Sequence, residues 1–116
     1  MITLLALFLT IVKPPTAYAD PGHHRLAISS WCWGTHCGAP IAASGKPIVV
    51  ARGDTVRIRF PVVPTSVRVA VSGKTLVVAR SGSVVSWRVR RWGGMTVNVT
   101  FAKGFVVYVG RLAAKV

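Results

Sequence analysis

Between Thr55 and Phe101, apolar and polar residues repeatedly alternate, and this period of two restricts the fold more than any other property of the chain. Successive side chains of a strand point to opposite faces, so the pattern predicts strands with one buried face. In Thr55–Phe60 the apolar set is Val56, Ile58 and Phe60, with Arg57 and Arg59 turned the other way. Pro61 and Pro64 end that run, because proline cannot donate to a ladder. Val67, Val69 and Val71 alternate with Arg68, and Ser72–Gly73 turns the chain into Lys74–Ala79. Ser81–Ser83 is another turn, followed by Val85, Trp87 and Val89 against Ser86, Arg88 and Arg90. After Gly93–Gly94, Met95, Val97, Val99 and Phe101 alternate with Thr96, Asn98 and Thr100. Lys103–Gly104 turns into Phe105–Val109, which is apolar on both faces and reads as a central or covered strand.

No window has helical period. Short strands at regular spacing predict an all-β protein, an antiparallel β-sandwich or barrel of six to eight strands. Ile48–Val50 and Leu26–Ile28 are the candidate edge strands. Residues 48–116 form the expected sandwich core. Residues 20–47, rich in Gly, Pro and Ser and holding both cysteines, are expected to be irregular.

The N-terminus reads as an export signal spanning residues 1–19. Ile2–Val12 is an apolar run of 11 residues, too short to cross a bilayer. Lys13–Pro14–Pro15 breaks any helix, and Ala17–Tyr18–Ala19 is a small-x-small cleavage pattern, placing the cut before Asp20. The first cation comes only at Lys13, whereas a signal normally opens with positive charge. A buried N-terminal strand is the competing reading, and the Lys–Pro–Pro break counts against it.

Three pieces carry a resemblance: Ser30–Trp31–Cys32–Trp33 with Cys37, the Gly53–Asp54 strand entry, and the closing hairpin from Gly94 to Tyr108. Together they resemble small secreted bacterial proteins with an immunoglobulin-like β-sandwich and no assigned activity. The resemblance implies that fold and an extracytoplasmic life, and it carries no catalytic residues. The immunoglobulin pair of sheet-bridging cysteines is missing, since both cysteines lie upstream of the predicted strands.

Cys32 and Cys37 are separated by four residues. In an exported protein two cysteines usually pair, and so short a loop contributes about 2 kcal/mol. The same thiols could join two of His23, His24 and His36 in a zinc site, but adjacent histidines rarely chelate one ion and an oxidising compartment consumes thiols. A redox pair is less favoured still, because its usual spacing is two residues. His23 near a free N-terminus could also hold copper or nickel if it stood third, and the expected cut leaves it fourth. The favoured reading has no cofactor and no metal, with His23 and His24 in a solvated lead-in.

The chain holds 15 Lys and Arg against 2 Asp and Glu, a formal charge of +13. Acid–base catalysis draws on paired carboxylates or an acid that orients a histidine. Asp20 and Asp54 are poor material for either, so the chain is read as non-catalytic. Arg57, Arg59, Arg68, Arg88 and Arg90 fall on the polar sides of their strands and are the candidate anion-binding residues. Arg57, Arg59 and Arg68 make one set and Arg88 and Arg90 the comparison set, because the sequence does not give the strand order that would place them on one sheet or two. Arginine suits phosphate and carboxylate through its planar fork. The expected function is a secreted or cell-surface binding module for anionic cell-wall polymer or anionic lipid, with nucleic acid less favoured. The alternative is a cationic, membrane-active, antimicrobial-like protein. Among the tryptophans, Trp87 takes the inward register, Trp31 and Trp33 are expected to pack over the disulfide, and Trp92 is the candidate exposed tip.

Overall fold

The computed structural model describes residues 13–115, and every described element is a strand or a turn. The strands are β1 (Tyr18–Asp20), β2 (His24–Arg25), β3 (Ala27–Trp33), β4 (His36–Gly38), β5 (Ile48–Val50) and β6 (Thr55–Arg59). They continue as β7 (Ser66–Val71), β8 (Lys74–Thr75), β9 (Ala79–Ser81), β10 (Val84–Arg88), β11 (Gly93–Phe101) and β12 (Gly104–Ala114). The first sheet runs β2-β1-β6-β10-β9. The second runs β4-β3-β12-β11-β7-β8, with β5 beside the C-terminal part of β12. Pairing is antiparallel throughout except between β5 and β12.

The two sheets pack face to face on one core. Val56, Ile58, Val85 and Trp87 come from the first sheet, and Val69, Val71, Met95, Val97, Val99, Val106 and Tyr108 from the second. Phe60, just past β6, seals the join. Its ring meets Phe101 edge-on at 6.0 Å and Tyr108 at 5.7 Å. Edge-on aromatic pairs place a positive ring edge against a negative face. The alternation in Thr55–Arg59 and in Gly93–Phe101 is therefore the period of burial, as the sequence predicts. β12 is central, between β11 and β3, and of its two apolar faces the inner one is buried while Phe105, Val107 and Val109 on the outer one stay partly exposed.

Twelve described strands replace the expected six to eight, and the extra ones lie mostly before residue 48. The segment expected to be irregular, residues 20–47, contains β3, which pairs with β12 along Gly104–Val109. Ile28 and Trp31 are both buried although three residues apart, which a plain strand does not allow. The register slips at this point: Val107 faces Ser30 and Tyr108 faces Ile28, leaving Ser29 as the extra residue. A bulge of this kind resets which face a side chain takes.

Residues before Asp20 also take part in the fold. The apolar run Ile2–Val12 lies outside the described residues. The residues just after it belong to the folded domain: Ala17 and Ala19 are fully buried, and β1 pairs with both β6 and β2. Ala19 sits opposite Ile58. The Leu26 N–H donates to the Ala17 carbonyl at 3.0 Å, and the Tyr108 hydroxyl donates to the Pro15 carbonyl. Alanine, the small residue of a cleavage pattern, is here the small residue that fits under an edge strand.

Candidate anion-binding face

β6 and β10 run side by side in the first sheet, with Ser86 opposite Arg57 and Arg88 opposite Thr55. Val56, Ile58, Val85 and Trp87 turn inward, so Arg57, Arg59, Ser86 and Arg88 share the outer face. Val89 is buried, and the exposed Arg90 follows it. Arg57, Arg88 and Arg90 thus converge from two strands onto one surface. They line an open groove of about 1130 Å³, joined by two cations that the sequence reading did not single out, Lys74 and Arg91.

The groove owes its shape to a crossover. β9 pairs with β10 only between Val84 and Ser86. The preceding residues belong to the other sheet, where the Leu76 N–H donates to the Val69 carbonyl at 2.8 Å. Val77 and Val78 carry the chain across, and Leu76, Val77 and Val78 form the apolar wall. Val77 is 98% exposed.

No carboxylate lines the groove. Asp20 accepts from the Arg59 guanidinium at 3.1 Å and from the His23 N–H at 3.1 Å. Asp54 accepts from the Ala51 N–H at 2.9 Å within a turn. Arg59–Asp20 is the single ion pair among the described residues. Like charges in adjacent strands repel unless a counter-charge intervenes. Asp20 stands directly opposite Arg57 in the β1–β6 register, while Arg88, Arg90 and Arg91 have no ion-pair partner among the described residues.

Arg59 and Arg68 stand apart from this cluster. Arg59 is held by Asp20 at the β1 side of the sheet. Arg68, on β7, lies on the outer face of the second sheet, opposite Asn98. The grouping of Arg57, Arg59 and Arg68 against Arg88 and Arg90 is therefore corrected: Arg57 belongs with Arg88 and Arg90. Cross-strand register, which a single sequence does not display, sets the grouping. Lys74 opens the two-residue strand β8 and Arg91 sits in the irregular stretch before β11, and neither belongs to a run of clean alternation.

Cys32 and Cys37 form a disulfide between directly opposed positions of β3 and β4. Neither sulfur is then free to hold zinc. No cluster of three or more candidate metal ligands occurs among the described residues. His23 stacks on Tyr18 with ring centroids 4.3 Å apart, so it is less free than a solvated lead-in implies.

The tryptophans differ from expectation in two places. Trp31 and Trp33 alternate with Cys32, so they take the face opposite the disulfide rather than covering it. Trp31 lies on Gly38, where a Cβ would collide with the ring, and its indole donates to the Ala39 carbonyl. Trp33 meets Phe101 edge-on. Trp92 is not an exposed tip. It is half-buried, its indole donates to the Val50 carbonyl at 3.0 Å, and Arg52 sits 5.8 Å over its ring. Trp87 packs inward as expected. Burial pushes the Tyr108 phenol well above its ordinary value, which keeps it a neutral donor to Pro15.

No protein-family model, curated protein or solved structure matches the chain.

Proposed function

We propose that the protein is an exported, non-catalytic immunoglobulin-like domain that binds anionic polymers of the cell envelope through the arginine groove of its first sheet. The observation that carries this reading is the groove itself: Arg57, Lys74, Arg88, Arg90 and Arg91 line one surface with no carboxylate among them. A guanidinium cluster in which cations outnumber carboxylates binds phosphate or carboxylate by charge and by bidentate hydrogen bonding.

The immunoglobulin-like assignment is supported by strand order. In that fold one sheet runs A-B-E-D and the other C-F-G. Here β1-β6-β10-β9 match the first order and β7-β11-β12 the second. Export is supported by the disulfide, which persists in oxidising compartments, and by the apolar N-terminal run. The non-catalytic reading is supported by the two carboxylates, both engaged in local structural bonds. The membrane-active alternative draws on exposed Val62, Val63 and Val77, and release of dye from anionic vesicles is its signature.

The test compares two triple variants of equal charge. One carries Arg57→Gln, Arg88→Gln and Arg90→Gln. The other carries Arg68→Gln and Arg111→Gln on the outer face of the second sheet and Lys103→Gln in the turn between β11 and β12. Binding to polyphosphate and to purified teichoic acid is measured against salt. Counterion release makes affinity fall with salt in proportion to the phosphates contacted. The groove variant is expected to lose affinity and flatten the slope, and the comparison variant to change neither. Equal losses in both variants refute a localised site. Absence of binding at about 0.15 M salt, where screening acts over about 8 Å, refutes the function.

A further inference from the structure

We infer that the groove accepts an acidic extended polypeptide, which continues the interrupted β9 ladder along β10. The inference rests on the anion-binding reading of the same groove and names the class of polymer that fits it.

The argument begins with the backbone. The Val89 N–H donates to the Asp54 carbonyl at 2.8 Å, and the Gly53 N–H donates to the Val89 carbonyl at 2.9 Å. Both main-chain groups of Val89 therefore point toward β6. In a strand the next residue's groups point the opposite way, so those of Arg88 face the β9 side. On that side β9 pairs with Val84, Val85 and Ser86 and goes no further. Continuing the register would bring Val77 opposite Arg88. Instead the chain at Val77 crosses to the second sheet, where Leu76 is bonded to Val69. Arg88 is left with an N–H and a C=O directed into the groove and no backbone partner.

An open edge recruits an extended segment, with main-chain bonds for affinity and alternate side chains for specificity. Here the alternation has a definite sense. A residue paired with Arg88 carries its side chain on the same face as the Arg88 guanidinium, so a carboxylate there makes a cross-strand ion pair. Arg57 lies on the same outer face, and Arg90 and Arg91 line the groove beyond. The neighbouring residues of the incoming segment point to the other side, toward the apolar wall of Leu76 and Val78 and the edge of Trp87. The occupant that fits is acidic at every second position and apolar between.

The probe is acetyl-Glu-Val-Glu-Val-Glu-amide, used with the disulfide-bonded full chain. One derivative carries N-methyl groups on its glutamates and blocks the edge that faces Arg88. Another carries them on its valines and blocks the far edge, with the same charge. Affinity is read by titration, and pairing by hydrogen exchange at the Arg88 amide. The glutamate-methylated peptide is expected to bind about tenfold more weakly, as befits one lost hydrogen-bonded pair. The valine-methylated peptide binds like the parent, and the parent slows exchange at Arg88. Equal binding of all three peptides overturns the ladder and leaves a groove that attracts charge alone. Polyphosphate binding without peptide binding overturns the inference and leaves the proposed function standing. Absence of binding to either probe overturns both.

Discussion

The two outer faces of the sandwich are both basic, and only one is organised. On the first sheet, Arg57 and Arg88 come from neighbouring strands, and Arg90, Arg91 and Lys74 close around them. On the second, Arg68 lies opposite Asn98, and Arg111 lies opposite Gly94 at the far end of β11. The polar positions between them are Thr96, Asn98 and Thr100. Cations that are spread out keep a protein soluble, whereas cations brought into register create a local potential. The difference follows from topology: the crossover at Val77 opens the larger groove on the first sheet, whereas the pocket beside β12 on the second, about 320 Å³, gathers Arg25, Lys46 and Arg111.

The largest expected effect comes from removing the first sheet's support. A protein beginning at Asp20 loses the buried Ala17 and Ala19, most of the β1–β6 ladder, and the bonds to Leu26 and Tyr108. Lost hydrogen bonds and re-exposed apolar area together amount to about 3 kcal/mol. Relative to a protein beginning at Lys13, denaturant unfolding should show a lower midpoint. Equal midpoints would show that β1 adds nothing to the sheet, and would leave a cut at Ala19 without cost.

A smaller effect is expected on the second sheet. Replacing Cys32 and Cys37 by serine removes the staple between β3 and β4 and should cost about 2 kcal/mol, as the short loop implies. Because β4 is the outermost strand of that sheet, anion binding at the groove should stay within experimental error. A parallel loss of binding would couple the two faces and break the distinction between them.

How far the sequence reaches depends on where alternation is clean. β6, β7, β10 and β11 were legible because their inward residues recur at every second position. β3 was not, because Ser29 is a bulge residue and shifts the parity between Ile28 and Trp31. β1 was hidden behind Lys13–Pro14–Pro15 and a cleavage-like Ala–Tyr–Ala. The disulfide was legible from spacing and compartment. Of the groove, Arg57, Arg88 and Arg90 were visible as outward residues, but their convergence depends on β6 pairing with β10. Lys74 and Arg91 carried no periodic signal at all. Trp92 was misplaced for a related reason: next to Arg90–Arg91 and Gly93–Gly94 it looks like a loop tip, yet the Val50 carbonyl, 42 residues away in sequence, holds it in.

The smallest expected effect separates the faces most directly, since it concerns stability without ligand. Guanidinium groups converging on one groove repel each other in the unbound protein, and folding forces them together. Neutralising Arg57, Arg88 and Arg90 should therefore stabilise the empty protein slightly, by a few tenths of a kcal/mol at low salt. The matched triple of Arg68, Lys103 and Arg111 relieves less repulsion, because Arg68 and Arg111 lie on strands separated by β11 and Lys103 lies in a turn. Thermal unfolding of both variants at about 0.02 M and about 0.5 M salt measures this, since screening shortens from tens of ångströms to a few. The groove variant should gain at low salt and lose that gain at high salt. If both variants gain alike, the repulsion is a property of the net charge of +13. In that case the convergence seen on the first sheet carries no electrostatic cost of its own, and the case for an external counter-charge weakens with it.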